Sequence, residues 1–250
     1  MNAGFAQSVP PTVYLNVDAS ELSNMNVAFV ARDRISRAGS VDQMFFLGTN
    51  PAGYPANDII GYSGGFVGSS TYNFTLSYTA NDSTYRFGLT DGVVSGNAFF
   101  RGNGANSTIT YDASAKNLAY NIFHIYGVAN SSGSSLSFDN LVFVPGAGLI
   151  SSGIVEASGM ASASGTPIYD QWFAAPTGVN LADFDWSISA NVQLNTTTNP
   201  SSGEGIKFEI STKNGVFTPQ SSINSVPEPV SSLLVTFGVL LVSLTRRRGL

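Results

Sequence analysis

Histidine occurs once in the 250 residues, at His124, and cysteine does not occur, so carboxylates, hydroxyls and aromatic rings are left to carry any chemistry. His124 lies in Asn121-Ile122-Phe123-His124-Ile125-Tyr126. At a period of two it shares a strand face with Ile122 and Tyr126, opposite Phe123 and Ile125. With no second histidine and no thiolate, a zinc site is not expected. Asp183 and Asp185 flank Phe184. On a strand both carboxylates would point one way and repel unless a cation or a hydroxyl-rich ligand lay between them. They are weak calcium candidates, with Asp91, Asp139 or Asn180 as partners, but no D-x-[DN]-x-[DN]-G loop accompanies them, and a solvated face is the favoured reading. Glycoside hydrolysis needs two acids facing one cleft, for which Asp183 with Asp185, or Glu204 with Glu209, would serve. Fifteen acids ahead of residue 227 offer such pairs by chance, so no hydrolase is expected. Serines abound without a G-x-S-x-G elbow. Trp186, Tyr72, Trp172 and Tyr169 can stack on sugar rings. Trp186 reads as core, whereas Trp172 and Tyr169, in Tyr169-Asp170-Gln171-Trp172-Phe173 between Pro167 and Pro176, are the candidate carbohydrate contacts, Trp172 being expected exposed. No catalytic residue and no cofactor is expected.

Composition narrows the class. Setting aside Glu228 and Arg246–Arg248 leaves eight basic against fifteen acidic residues, a net charge near −7. That sign argues against nucleic acid as a partner. Without cysteine there is no disulfide, no thiol catalysis and no acylated lipoprotein anchor. Charged residues are only 11% of the chain, with 26 glycines, 17 phenylalanines and 10 tyrosines. This is the make-up of β-proteins, whose turns take Gly and Asn and whose strands take aromatic and β-branched residues.

The elements that must position these groups are short and alternate apolar with polar residues. Strands are expected at Thr12–Val17, Val27–Ala31, Gln43–Leu47, Ala98–Arg101, Ser107–Tyr111, Ala119–Gly127, Ser135–Val144, Phe184–Leu194 and Lys207–Ser211. Asp33–Arg37 reads as a polar corner, Thr49–Gly65 as a long loop, and Pro145–Thr166 as a crossover or irregular linker. The strongest hairpin sets Phe74, Leu76 and Tyr78 against Tyr85, Phe87 and Leu89 across Asn81-Asp82-Ser83. Ten or more such strands predict an all-β domain, a β-sandwich or jelly roll, over residues 12–218. Residues 219–226 read as a polar stalk.

The last residues differ in kind. Pro227-Glu228-Pro229 precedes an uncharged run, Val230–Thr245, and Arg246-Arg247-Arg248 follows it. Sixteen helical residues span about 24 Å, a little under the ~30 Å hydrocarbon core. Snorkelling arginines and local thinning can cover that deficit. The prolines forbid a regular helix interior, so the helix is expected over 230–245, with Pro227–Pro229 extended ahead of it. The arginines hold the C-terminus on the cytoplasmic side and place residues 1–226 outside. A plain anchor that is never processed is the alternative.

Signal, span and basic end together resemble the PEP-CTERM sorting tail of Gram-negative bacteria. The resemblance implies that Pro227, Glu228 and Pro229 are the recognition element for an exosortase-type transpeptidase, and that Arg246, Arg247 and Arg248 stop transfer. It also implies inner-membrane attachment followed by a cell-surface or extracellular location, and an exopolysaccharide as partner. An exported chain needs a leader; residues 1–8, with Gly4-Phe5-Ala6 before Gln7, are read as the remnant of a signal-peptide region. A looser resemblance, covering roughly residues 13–213, is to choice-of-anchor domains of type W. It rests on the order of Asn26-Val27-Ala28-Phe29-Val30-Ala31, Met44-Phe45-Phe46-Leu47-Gly48, Phe74-Thr75-Leu76-Ser77-Tyr78, Phe184-Asp185-Trp186 and Lys207-Phe208-Glu209-Ile210. The expected role is a non-catalytic structural or adhesive surface protein. A lectin-like module is the alternative, ahead of a glycan-active enzyme.

Overall fold

A computed structural model describes residues 9–37, 41–49, 59–63, 68–96, 106–130, 133–152, 157–162, 168–196 and 203–219. The expected strand at Ala98–Arg101, the leader remnant and the whole tail, including the 230–245 span, lie outside these residues. The chain divides into two units, Met1–Thr218 and Pro219–Leu250, and of the second only Pro219 is described. Among the described residues no helix is long and apolar enough to cross a membrane.

The first unit is all-β. Its strands are β1 (Thr12–Leu15), β2 (Leu22–Arg37), β3 (Val41–Gly48), β4 (Ile59–Ser63), β5 (Gly68–Thr79), β6 (Thr84–Gly96), β7 (Asn106–Asp112), β8 (Ile122–Ala129), β9 (Ser134–Pro145), β10 (Ile150–Ser151), β11 (Ala157–Ser162), β12 (Ile168–Ala174), β13 (Trp186–Thr196) and β14 (Gly203–Phe217). They form an eight-stranded sheet, β10-β1-β12-β8-β14-β2-β3-β4, and a six-stranded sheet, β11-β9-β13-β5-β6-β7. Every pairing is antiparallel except the short β1–β10 ladder.

The period of two sends one residue in two between the sheets. In the six-stranded sheet Phe143, Ile188, Leu76 and Phe87 lie in one cross-strand row. In the eight-stranded sheet Phe123, Ile125, Phe208, Ile210 and Ala31 face them, and all of these join one buried cluster. Aromatic pairs span the gap: Phe74 to Phe208 at 4.5 Å, Phe29 to Tyr85 at 3.7 Å and Phe123 to Trp186 at 4.6 Å. Trp186 is core, as its strand pattern predicts, and its indole N–H donates to the Tyr120 hydroxyl at 3.1 Å. Where β8 passes closest to β9, position 127 is glycine; a Cβ there would run into Leu136 Cδ2 and lie 2.8 Å from Phe138 Cε2.

Buried Asn121 ties three strand ends together. Its side-chain amide donates to the Ala175 carbonyl at 3.0 Å and its oxygen accepts from Gly215 N–H at 3.0 Å. Gly215 sits at an irregularity in β14, between Asn214 and Val216, where the ladder leaves that N–H to the side chain.

Three expectations are corrected. Asp33–Arg37 is not a corner: β2 runs through it, paired with β14 on one side and β3 on the other. The expected loop at Thr49–Gly65 contains β4, and the expected linker at Pro145–Thr166 contains β10 and β11. In each case strand pairing, with distant β14 for β2 and β1 for β10 and with nearer β3 for β4 and β9 for β11, satisfies backbone groups that local composition would leave to water.

Candidate functional site

Two places gather the residues that chemistry singles out. The first is the face of the eight-stranded sheet turned away from the six-stranded one. Register puts Trp172 opposite His124, His124 opposite Ser211 and Ser211 opposite Val30. The neighbouring row runs Asp170, Tyr126, Glu209 and Arg32.

The side chains of these rows interlock. His124 stacks on Trp172 at 3.7 Å and 8° and contacts Asp170 Oδ1 through Nε2 at 2.5 Å. The Lys213 ammonium lies 4.6 Å from the Trp172 ring centroid. Arg32 sends Nε and Nη2 to one oxygen of Glu209, at 2.8 and 2.6 Å. Burial, then the Lys213 ammonium, lowers the His124 pKa to about 4 against the opposing pull of Asp170. Neutral His124 therefore keeps its proton on Nε2, facing the Asp170 carboxylate. Burial also lowers the Lys213 pKa, with Glu209 and Asp170 opposing.

This arrangement corrects the expected aromatic platform. Trp172 is only 7% exposed and Tyr169 only 8%, so neither offers an open ring face to a sugar. Trp172 lies on β12, covered by His124 and Lys213, while Tyr169 points between the sheets with its ring 4.7 Å from Phe138. The Trp172 indole N–H, the Tyr169 hydroxyl and the Ser211 hydroxyl are buried without a hydrogen-bond partner.

The second place is one end of the sandwich, where three connections meet over a cavity of about 430 Å³. The β5–β6 turn brings Asn81 and Ser83, the β7–β8 connection brings Asn117, and the segment before β13 brings Asn180 and Asp183, with Tyr78 beneath them. Burial and then the Asp183, Asp82 and Asp185 charges push the Tyr78 pKa up, against a hydrogen bond with Ser83, so its hydroxyl stays protonated. Ala113 N–H donates to the Ser83 carbonyl at 2.9 Å and joins two of the connections. Asn180 caps a 3-10 turn, Leu181–Asp183: its oxygen accepts from Ala182 N–H and from Tyr120 N–H, each at 3.2 Å, and its amide donates to Asp183 at 3.1 Å.

That turn overturns the geometric premise of the paired carboxylates. Asp183 ends a helical turn and β13 starts only at Trp186, so the two do not share a strand face. Asp183 lines the 430 Å³ cavity, whereas Asp185 lines a different one and accepts from Ala80 N–H at 2.8 Å. Among the described residues no group of three or more His, Cys, Asp and Glu side chains could hold a metal ion. Asp139 is exposed on β9 and Asn180 alone of the suggested partners bonds to Asp183. Glu209 is engaged by Arg32, and the side chains of Glu204, Asp91 and Tyr72 lie outside the described residues, as do Pro227, Glu228, Pro229 and Arg246–Arg248. Beyond its Asn- and Ser-rich turns, nothing in the sequence points to the cavity. No protein-family model matches the chain, and no curated protein matches it in sequence.

Proposed function

We propose that this chain is an exported envelope protein of a Gram-negative bacterium, sorted through its tail by an exosortase-type transpeptidase, with a non-catalytic structural or adhesive β-domain. One observation carries the reading: Pro227-Glu228-Pro229, sixteen uncharged residues and Arg246–Arg248 follow one another without interruption. The run over 230–245 acts as a single transmembrane helix with the arginines inside, so the β-domain is held outside the inner membrane. The cysteine-free, low-charge all-β domain is in keeping with an extracellular matrix or cell-surface role, and an exopolysaccharide is the partner that the tail's resemblance implies. The glycan-active alternative draws no support from its named acids, since Asp183 and Asp185 line separate cavities and Glu209 is tied to Arg32.

Intact mass of the protein recovered from envelope and medium of its host tests this. Loss of the residues after the Pro-Glu-Pro signal is expected in the surface or released fraction. A full-length mass confined to the inner membrane would leave a plain tail anchor and remove the sorting reading.

A further inference from the structure

We propose that the cavity at the end of the sandwich is a binding site for one uncharged pyranose unit. This deepens the adhesive reading above and rests on it only for the setting in which such a sugar is met.

The charge of the lining limits the ligand. Among the described residues no lysine or arginine lines the cavity and Asp183 is its one carboxylate, so phosphate, sulfate and uronate groups find a repelling charge and no counter-ion there. Beside Asn180, whose amide is taken up by its own bonds, the remaining polar groups, Asn81, Ser83, Ser114, Asn117 and the Tyr78 hydroxyl, are amides and hydroxyls. Each both donates and accepts, as sugar hydroxyls do, and a carboxylate can accept from two adjacent hydroxyls at once.

The site is also formed in advance. Asn180 has both ends of its amide committed, so Asp183 is aimed by a partner that cannot swing. The Ala113–Ser83 bond holds two rims together, the Asp112 carboxylate accepts from Ser114 N–H at 2.8 Å within the β7–β8 connection, and Tyr120 N–H, donating to Asn180, ties in the third. Binding to such a frame costs little ordering of the protein. The volume of about 430 Å³ falls inside the ~300–1,000 Å³ range of small-molecule sites.

The test uses the full chain in a detergent without a sugar headgroup. Saturation-transfer NMR and titration calorimetry are run with glucose, galactose, mannose and N-acetylglucosamine, and with methylammonium as a cation probe. A dissociation constant on the order of 1 mM is expected for at least one sugar, the strength reasonable for a ligand of this size. Asp183→Ala and Asn81→Ala should each weaken it about tenfold or more with an unchanged melting temperature, and exposed Glu21→Ala should leave it intact. Should Asp183→Ala disturb the fold, Asn81→Ala alone decides. Binding by none of the sugars, binding unaffected by either variant, or preference for methylammonium would each overturn the proposal. None of these results touches tail processing, so a failed sugar site and a failed sorting reading are told apart.

Discussion

The His124 imidazole lies flat on the Trp172 indole, centroids 3.7 Å apart and planes 8° from parallel, and burial there, with the Lys213 ammonium near, keeps the only histidine of the chain uncharged. An imidazolium there would lie buried beside the Lys213 ammonium, which is why the pKa sits at about 4 rather than 6.5. Between those two values the unfolded chain binds a proton that the folded chain does not, so stability must fall as pH falls through that window. The loss is on the order of 1–3 kcal/mol for a shift of this size, the Asp170 carboxylate limiting it. Urea unfolding from about pH 7 to about pH 4.5 should show this slope, and His124→Phe should flatten it. Rising stability over the same interval would mean that the Asp170 ion pair, not burial, governs the ring. Below that window Asp18, Asp82 and Asp112, whose carboxyls sit under their ordinary value, add a separate acid loss; Ser20 and Ser114 bonds lower the first and last, and Arg86 and Thr84 bonds lower Asp82 against burial.

Arg32 and Glu209 test a different balance. Their side chains are 12% and 14% exposed, so the pair has given up most of its water. Removing one partner takes the nearest counter-ion from the other, and Glu209→Leu or Arg32→Met alone should cost about 1–3 kcal/mol. The double variant should recover most of that loss, because an apolar pair of similar volume needs no solvation. Chemical denaturation of the four proteins measures it. Two single variants that each cost less than about 0.5 kcal/mol would show the pair to behave as an exposed one.

Gly127→Ala places a methyl group against Leu136 and Phe138 of the opposing sheet. Overpacking of a well-filled core typically costs about 1–3 kcal/mol, and a drop of that size in unfolding free energy is the expected outcome. Gly127→Ala combined with Leu136→Ala should regain part of it. No change in the single variant would mean that the sheets part at this point without resistance.

Gly127 also marks where sequence reading stops. The alternation of Phe74, Leu76 and Tyr78 against Tyr85 and Phe87 is a local signal, and the β5–β6 hairpin with its register follows from it. Trp186 is legible as core for the same reason. β2 through Asp33–Arg37 is not, because its polar residues are held as strand by Phe208, Lys207 and Ile206 of β14, some 170 positions away. Trp172 and Tyr169 misled because nearby prolines suggest a loop, whereas His124 on β8 and Phe138 on the other sheet are what bury them. Asp183 and Asp185 look paired on a strand until Asn180 caps the turn between them and the core. No pattern within a short window contains the partners of β2, Trp172 and Tyr169, whereas Asn180 lies three residues from Asp183 and its cap is a local signal.

The order of the eight-stranded sheet sets a timetable for the chain. β14, the last of the described strands, lies between β8 and β2, and Phe217 at its end pairs with Leu22 of β2. Until it arrives, β2 and β8 each lack the neighbour that separates them, and the larger sheet stays in two pieces. Such long-range closure places folding in the slow, millisecond-to-second class, because the first and last described parts of the domain must meet before the larger sheet is whole.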